Sequence, residues 1–457
     1  MLVREPGDLD PALVEPIELA PELLERLAAV RRTALARLES GEPVYGVNTG
    51  MGKLSKVRLT AAEQRRHQAN LLRGRAVGGP PWLPADEARA VLIGRLRTFL
   101  TGDAAVSVEL IHRLVALINS GAVPEIPAEG AGSAGEIIPL AHAMAPLLDP
   151  TPSGLPRFEL GSKEGIALLA GIPGATGRSG LAVAKVRRLA DRMTAVAAGA
   201  IAVVAANRDP YQPSAGRGDD VLAAELARIL ELAGPESAPR SLQAPVSFRV
   251  AGHVLAHVRR TVEQLNDAVE RAFTGVTDSP AYLDGEFIGT AGFHGLDLAA
   301  HCDHLTAALA HAAEVSTARL HRLLDPAITG LPAQLTPDPG PQAGLVAVHK
   351  RAVATTHQLR RLTLPTAIST VETSNGQEDV QSFSWEAVGI LTEAIRLTRI
   401  TTACELLAVH QAFTLSTRDI PPNLRPFFEA VAEAVPPIHT DRPFGQDLTT
   451  LLTILLP

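Results

Sequence analysis

Residues Pro127–His142 read Pro-Ala-Glu-Gly-Ala-Gly-Ser-Ala-Gly-Glu-Ile-Ile-Pro-Leu-Ala-His. The first half consists almost entirely of small residues, and glycine allows a backbone to turn tightly or to approach a ligand closely. The second half predicts a helix that begins near Glu136, where a carboxylate in the first turn would suit the helix dipole. A small-residue loop that leads into a helix is a candidate for a functional site, although an ordinary helix-entry loop has the same composition.

The composition of the 457-residue chain indicates a helical protein with a large aliphatic core, because 46% of its residues are apolar and only 4% are aromatic. A net charge of -7 gives no reason to expect a nucleic acid or an anionic membrane as a partner. The first residues carry no signal-peptide core and no stretch has the length of an uncharged membrane span, so we expect a cytoplasmic protein. Cys302 and Cys404 are too few for a disulfide framework.

Apolar residues recur at helical spacing through most of the chain, which predicts an all-α fold built around a bundle of long helices. Thr60 and Glu63 form a capping-box pattern at the start of one helix, which is predicted to end near Gly74. Other helices are predicted at about 21–40, 86–100, 107–119, 136–147, 163–169, 180–206, 246–273, 296–324, 342–362 and 385–415. A Pro-rich segment near 150–156 is predicted to connect two helices.

The run Gly132–His142 resembles the active-site loop of the histidine and aromatic amino-acid ammonia-lyase family, which includes related aminomutases. In that family an Ala-Ser-Gly triplet cyclises and dehydrates into the electrophile methylidene-imidazolone (MIO). Alignment on the shared Pro-Leu-Ala-His places Ser133, Ala134 and Gly135 at the triplet. The central serine, whose hydroxyl must leave, is therefore replaced by Ala134.

The resemblance covers nearly the whole chain and implies an architecture. Residues 1–200 would hold the active-site loops, and residues 201–457 would form the central long-helix bundle and the carboxyl-terminal helices. It also implies a homotetramer whose active sites take residues from several subunits.

A second motif, Val44–Gly52, reads Val-Tyr-Gly-Val-Asn-Thr-Gly-Met-Gly and is similar to the Tyr-Gly-Val-Asn-Thr-Gly motif of the family. A tyrosine beside several glycines has an accessible phenol, which can act as a general base. The resemblance implies that Tyr45 removes the β-proton of the substrate and that Asn48 contributes to substrate binding. A purely structural turn is the alternative.

Residues Gln68–Ala76 resemble a family segment in which one position helps to select the substrate side chain, and that position is Arg75 here. An arginine in the pocket would favour an anionic or strongly hydrogen-bonding group. The alternative is a solvated arginine that supports the end of a helix.

Four further segments resemble family motifs, but each has lost some of the motif's residues or keeps only part of it. They are Lys163–Gly171, Leu242–Arg249, Gly289–Gly295 and Thr373–Asp379. Gln243 and Arg249 persist in Leu242–Arg249, and Arg249 would hold the substrate carboxylate as a bidentate fork. The other residues retained for substrate binding or proton transfer are Phe293, Gln377 and Glu378, of which Glu378 would be a second acid or base, or the partner of an amino group. The positions that build or flank the electrophile have changed, and they are Ala134, Ala170, Val246 and Gly292.

This pattern indicates that the pocket is retained and the prosthetic group is lost. Our first hypothesis is a carbon–nitrogen lyase acting on an amino acid or related carboxylate without MIO, by elimination, addition or cyclisation, with Tyr45 as the base and Ser133 as a donor or nucleophile. The second is a conventional ammonia-lyase or 2,3-aminomutase in which the shifted triplet Gly132-Ser133-Ala134 cyclises through the nitrogen of Ala134. The third is a non-catalytic helical scaffold. No metal is expected, since His253 and His257 lie one helical turn apart but lack a His-Glu-x-x-His pattern.

Overall fold

The computed structural model describes residues 1–150, 156–368 and 371–455, and almost all of its regular structure is helical, which confirms the predicted all-α class. The α-helices are α1 Pro21–Leu38, α2 Ala61–Arg73, α3 Ala85–Phe99, α4 Val108–Asn119, α5 Ile137–Met144, α6 Glu164–Leu169, α7 Pro173–Val203, α8 Asp220–Ala233, α9 Val246–Arg249, α10 Ala251–Thr274, α11 Leu296–Leu323, α12 Pro326–Thr329, α13 Val346–Arg360, α14 Ser384–Leu415, α15 Arg425–Ala434 and α16 Phe444–Leu455.

The strands among these residues are short and local. Strand β1 (Leu2–Val3) pairs in parallel with β2 (Glu18–Leu19), with Leu2 opposite Glu18. Strands β3 (Ala281–Leu283) and β4 (Glu286–Ile288) form an antiparallel hairpin. Its tip is Asp284-Gly285, with φ values of 49° and 86°, as the Asp-Gly preference of tight hairpin turns predicts.

The chain folds into two compact units, each made of three segments. Unit 1 comprises Met1–Ala182, Leu265–Cys302 and Pro365–Gly389, and unit 2 comprises Val183–Gln264, Asp303–Leu364 and Ile390–Pro457. This division differs from the predicted boundary at residue 200. Four of the five limits fall inside α7, α10, α11 and α14, and the fifth, between Leu364 and Pro365, follows α13. Each of these four long helices contributes residues to both units, so no single cut in the sequence separates them.

In unit 1, helix α3 and the first turns of α7 approach each other backbone to backbone. A Cβ atom placed on Gly94 would lie 2.2 Å from the carbonyl oxygen of Pro173, and one placed on Gly177 would lie 2.1 Å from that of Ala90. Side chains cannot be accommodated at such distances, so glycine at these two positions is what allows the two helices to touch.

Unit 2 contains a buried ion pair and a buried phenol. Arg319 Nε lies 2.6 Å from Glu405 Oε1, and Ser316 Oγ donates to the same carboxylate. The hydroxyl of Tyr211 donates to the carbonyl oxygen of Phe248 at 3.0 Å. Each polar group therefore has the partner that a buried polar group needs.

One stretch of the described residues, Glu164–Val203, is long and apolar enough to cross a membrane. Of its most apolar window, 89% is buried inside the protein, so packing within the fold accounts for its apolar character.

The predicted helices are largely confirmed, and the capping box at Thr60 and Glu63 forms with both hydrogen bonds. The predicted helix 246–273 is instead broken at Val250, where ψ is 0°, into α9 and α10. Helices α8, α15 and α16 were not predicted. The Pro-rich segment 150–156 falls mostly on residues 151–155, which lie outside the described residues.

Candidate active site

The small-residue loop that precedes α5 is held at both ends by buried groups of unit 1. Before the loop, the indole Nε1 of Trp385 donates to the carbonyl oxygen of Ala128 at 3.0 Å. Within the loop, Gly135 has a φ of 83°, and a Cβ atom on it would lie 3.1 Å from the carbonyl oxygen of Gly171. The triplet Ser133–Gly135 therefore sits in a turn that requires glycine at its third position.

Glu136 anchors the loop to α7, whereas the sequence predicted its carboxylate at the first turn of the helix that follows it, α5. Its fully buried carboxylate accepts hydrogen bonds from the backbone N–H groups of Gly174 (2.8 Å) and Ala175 (2.7 Å), in the first turn of α7, and makes no side-chain cap on α5. Burial raises the pKa of Glu136 to about 7, against the opposing effects of these two donors and of the positive charges on Arg95 and Arg178.

The Tyr45 loop, Val44–Gly52, packs closely on α6. Gly46 has a φ of 67°, and a Cβ atom there would lie 2.3 Å from Ile166 Cδ1. The backbone N–H of Gly52 donates to the hydroxyl oxygen of Tyr45 at 2.8 Å. This donor holds the phenol in place at the end of the loop.

Asn48 is engaged inside the same loop. Its Oδ1 accepts from the backbone N–H of Val44 at 2.8 Å, and its Nδ2 donates to the carbonyl oxygen of Glu42 at 2.7 Å. The structure thus gives Asn48 a part in shaping the Tyr45 loop and places it outside the residues that line the cavity described below.

Glu378 closes a short hairpin that begins at Thr373, and its carboxylate meets the triplet. Glu378 Oε2 accepts from the backbone N–H of Ala134 and from Thr373 Oγ1, each at 3.0 Å, and Oε1 accepts from Ser374 Oγ at 3.0 Å. Three donors therefore fix this carboxylate beside the residue that replaces the expected serine.

These loops surround a cavity of about 420 Å³ in unit 1, a volume suited to a small molecule. Its polar lining includes Tyr45, Ser279, Gln377, Glu378 and Asp379. Its other lining residues are Met51, Ala134, Ile137, Ile166, Leu169, Ala170, Gly171, Phe293 and Val380. The cavity offers a phenol and carboxylates beside an apolar surface, which suits a substrate with an apolar or aromatic side chain.

Arg75 follows α2 and contacts Met51, which lines the cavity. One guanidinium nitrogen donates to the carbonyl oxygen of Leu71 at 3.3 Å, and the other lies 3.7 Å from Met51 Sδ. Burial lowers the pKa of Arg75, while attraction to Tyr45 and Glu378 opposes that shift. Arg75 is thus a half-buried residue at the end of α2 and is absent from the cavity lining, and its expected contact with substrate stays a prediction.

Of two positions that differ from the family motifs, Ala170 and Gly292, one lines the cavity and the other is restricted by packing. Ala170 lines the cavity, and its carbonyl oxygen accepts a hydrogen bond from Arg95. A Cβ atom on Gly292 would lie 2.0 Å from the carbonyl oxygen of Val276, so the backbone of a neighbouring segment occupies the space that an asparagine would need.

Three residues predicted from one motif belong to unit 2 and are absent from the lining of the unit 1 cavity. Gln243 and Val246 are exposed. Arg249 is half-buried, and its Nε donates to the carbonyl oxygen of Ala244 at 2.9 Å. Their expected contact with substrate stays a prediction.

The residues of the triplet do not fit MIO in the aligned register. Ala134 presents a methyl group, so no hydroxyl is available to leave and form the exocyclic methylidene. In the shifted register, the hydroxyl of Ser133 donates to the carbonyl oxygens of Ala131 (3.5 Å) and Gly135 (3.3 Å), and Ser133 does not line the cavity. Among the described residues, no group of three His, Cys, Asp or Glu side chains could hold a metal ion.

Two buried polar residues that were not identified from the sequence, Gln68 and Lys163, hold segments near the cavity together. Gln68 joins the Tyr45 loop to α6, since its Nε2 donates to the carbonyl oxygen of Gly46 and its Oε1 accepts from Gly165 N–H. Lys163 has a φ of 75° and forms a buried ion pair with Asp278 at 2.5 Å. The sequence offers one signal for them, because Gln68 and Lys163 each begin a family-like motif.

Comparison with known proteins gives relatives both by sequence and by fold. A sequence model described as aromatic amino acid lyase matches residues 12–435. Histidine ammonia-lyase of Deinococcus radiodurans is 30% identical, over 96% of this chain and 89% of the relative. Tyrosine aminomutase from Streptomyces globisporus superposes with a TM-score of 0.90 at 25% identity, covering 96% of this chain and 92% of that one. Ergothionase, an ergothioneine-degrading enzyme from Treponema denticola solved with desmethyl-ergothioneine sulfonic acid, gives 0.89 at 21% identity, covering 99% and 96%.

The helical fold and the cavity between the two loops define an enzyme of the ammonia-lyase and aminomutase type. The chain belongs to the aromatic amino acid lyase family and is a lyase. Membership of an enzyme family contradicts the hypothesis of a non-catalytic scaffold.

Proposed function

We propose that this lyase acts without MIO on a small amino-acid-like or related carboxylate substrate, and that Tyr45 is the base that removes the β-proton. The observation that supports this most directly is that Tyr45 and Glu378 line one cavity in which Ala134 takes the place of the serine that MIO requires. The cavity therefore holds groups that can act as acid and base, although the serine from which the electrophile would form is absent.

Tyr45 is positioned to act as the base because it lines the cavity and the Gly52 N–H, at 2.8 Å, holds its hydroxyl oxygen in place. In an elimination, the β-proton goes to this oxygen and the C–H electrons form the new carbon–carbon double bond. The Cα–N bond breaks at the same time, and its electron pair leaves with the nitrogen.

The leaving group decides whether such a site can work alone. Ammonia leaves poorly, and in the family the electrophile makes its departure feasible. A quaternary ammonium leaves as a neutral tertiary amine and needs no proton transfer at nitrogen. The carboxylate of Glu378 already accepts three hydrogen bonds, so it offers a cationic group mainly its negative charge, which suits a nitrogen without N–H groups.

The Treponema enzyme suggests which compounds to test first. It degrades ergothioneine, a betaine whose nitrogen is quaternary. Betaines of aromatic amino acids and of histidine therefore come first, and the same site would also serve addition to an activated alkene or a cyclisation by general acid–base catalysis.

The experiment that tests this proposal combines intact mass with an elimination assay. Peptide mapping across 129–139 should give the encoded mass, and a betaine substrate should release its tertiary amine. A mass two waters below the encoded value, located at residues 132–135, would show that MIO forms and would contradict the proposal. Unmodified protein that eliminates nothing from betaines and converts no related alkene or cyclisation precursor would overturn the activity.

A second candidate is a conventional MIO-dependent ammonia-lyase or 2,3-aminomutase that uses the shifted triplet Gly132-Ser133-Ala134. It is favoured by the names of the relatives, several of which are histidine ammonia-lyases. In that case Ser133→Ala would abolish both the mass loss and the release of ammonia. Under our proposal the unsubstituted protein already has the encoded mass, and Ser133→Ala still releases the tertiary amine from betaines, at a rate lowered only by the loss of the Ser133 hydroxyl.

We also propose the homotetramer implied by the family resemblance, with Gln243 and Arg249 contributing to active sites shared among subunits and Arg249 gripping the substrate carboxylate. Light scattering on the purified protein measures the assembly. Arg249→Lys should raise KM far more than it lowers kcat, because lysine cannot form the bidentate contact.

A further inference from the structure

Gln68, in the middle of α2, is buried where α2, the Tyr45 loop and α6 meet. It is only 1% exposed, so its amide has to find hydrogen-bond partners inside the protein. Its Nε2 donates to the carbonyl oxygen of Gly46 at 3.2 Å, and its Oε1 accepts from the backbone N–H groups of Gly165 at 2.9 Å and Ile166 at 3.3 Å. One side chain therefore joins the residue that follows Tyr45 to the first turn of α6.

The three segments approach so closely at this junction that neither glycine could carry a side chain. A Cβ atom on Gly165 would lie 2.3 Å from the backbone carbonyl oxygen of Gln68, so α6 and α2 touch backbone to backbone. A Cβ atom on Gly46 would lie 2.3 Å from Ile166 Cδ1. These approaches place both partners within reach of one glutamine amide.

The two segments that Gln68 joins both contribute to the cavity wall. Tyr45 lines the cavity from its loop, and Ile166 lines it from α6. Because Gly46 is bonded directly to Tyr45, a hydrogen bond to its carbonyl oxygen restrains the backbone from which the phenol projects. Among the described residues, no backbone N–H donates to this carbonyl oxygen, so the amide of Gln68 supplies the restraint.

The other hydrogen bonds at this point stay inside the loop. The N–H of Gly46 donates to Thr49 Oγ1 at 3.2 Å, and the hydroxyl oxygen of Tyr45 accepts from the N–H of Gly52. Both contacts shape the loop, but neither fixes its position relative to α6. The contact with Gln68 does so at the residue next to the phenol.

We propose that Gln68 is a positioning residue for Tyr45: by tying Gly46 to the start of α6, it sets where the phenol stands in the cavity. This inference rests on the proposed role of Tyr45. Gln68 is absent from the cavity lining, so its effect on the reaction passes through the backbone of the loop.

Hydrogen exchange followed by mass spectrometry tests this without turnover. Gln68→Met has a side chain of similar length but neither the donor nor the acceptor. The backbone amides of residues 44–52 should exchange about fivefold faster in this variant, because loss of one hydrogen bond eases local opening by about that factor. Thr60→Ala is the matched control, because it removes the cap of the same helix and leaves the contacts of Gln68 in place. Its loop should exchange as in the unsubstituted protein.

Steady-state kinetics give a second readout. Gln68→Met should lower kcat about tenfold or more and change KM by less than about twofold, because a displaced base slows the chemical step more than it weakens binding. Thr60→Ala should leave both constants unchanged. If the methionine protein does not fold, Gln68→Asn replaces it with the same expected results, since its amide is one methylene shorter and cannot span Gly46 and Gly165 at once.

Three results would overturn the inference. The first is unchanged exchange of residues 44–52 in the Gln68 variant. The second is an equal loss of kcat in the Gln68 variant and in Thr60→Ala, because general destabilisation would then be the cause. The third is a raised KM with an unchanged kcat, because Gln68 would then act on the cavity wall of α6 and not on the base.

The outcome is separable from that of the proposed function. Faster exchange of the loop in a Gln68 variant of a protein that eliminates nothing would support the action of Gln68 and reject the proposed reaction. An active enzyme whose loop exchange and kcat are both insensitive to Gln68→Met would do the reverse.

Discussion

The backbone N–H of Ala134 donates to Glu378 Oε2 across 3.0 Å. The residue that stands in for the expected serine is thereby tied to an acidic side chain that lines the same cavity. The link makes Glu378 important in two respects, since it holds the loop and it places a negative charge at the site.

Glu378→Gln should therefore affect both stability and activity. The amide oxygen of glutamine can take the place of Oε2 and accept from Ala134 and Thr373, and the amide nitrogen can donate to Ser374 Oγ. We therefore expect a loss of only about 0.5–1 kcal/mol in the free energy of unfolding, from the weaker neutral acceptor. Loss of the charge should lower kcat/KM for a cationic substrate roughly tenfold or more. Urea unfolding and steady-state kinetics measure the two effects. Ser374→Ala, which removes one exposed donor, is the control, and equal kinetics in both variants would contradict the role of the charge.

Tyr45→Phe should lower kcat by roughly 10²- to 10⁴-fold, the usual contribution of a general base. The ring and its packing remain, so substrate binding measured by calorimetry should change little. Tyr282→Phe is the matched control, because Tyr282 is half-buried on β3 and outside the cavity lining. Unchanged turnover in Tyr45→Phe would remove this residue from the mechanism.

Glu136 should make the protein less stable as the pH rises. The pKa of this carboxyl is raised from 4.5 to about 7 in the folded protein, so the folded state holds the proton more tightly than the unfolded chain does. The resulting stability is complete below pH 4.5 and is lost as the pH rises through 7, by roughly 3 kcal/mol.

Glu136→Gln should flatten this dependence, because glutamine carries no proton to lose. It should also cost about 1 kcal/mol at low pH, since its amide nitrogen cannot accept one of the two N–H groups of α7. Urea unfolding at several pH values between 4 and 8 measures the slope of the free energy of unfolding against pH for each protein. Identical slopes in the two proteins would show that Glu136 does not titrate with the raised pKa.

Gly292→Ala should destabilise unit 1 by about 2–3 kcal/mol or more, because its Cβ would lie 2.0 Å from the carbonyl oxygen of Val276. Gly289→Ala, in the same segment, is the control, since a Cβ there meets nothing within 4 Å. Thermal unfolding distinguishes the two. Restoring the family's asparagine at residue 292 should be equally unfavourable, which makes Gly292 part of this chain's own packing.

The sequence predicted the helices well where apolar periodicity and caps coincide, as at Thr60 and Glu63. The family motifs also placed Tyr45, Phe293, Gln377 and Glu378 at one site. In the structure these four residues line one cavity. Helix α8 was missed although Asp219 caps it through the N–H of Leu222, a pattern visible in the sequence.

Other features depend on distant contacts that no local pattern encodes. Glu136 precedes α5 but binds the first turn of α7, because the two glycine-rich segments converge in space. Arg75 contacts Met51, 24 residues away in sequence, because the Tyr45 loop and the end of α2 come together in space. The break at Val250 occurs without proline or glycine at that residue, so residue types alone gave no warning of it.

The backbone contact between α3 and α7 makes the active-site loop sensitive to changes made far from it. Gly94 and Gly177 fix where α7 begins, and the first N–H groups of α7 hold Glu136, which ends the loop. A methyl group added at Gly94 would therefore push on the loop through a rigid helix without touching the cavity. In a screen for lost activity, Gly94 would then be mistaken for a catalytic residue. The loss of activity would instead come from displacement of the active-site loop.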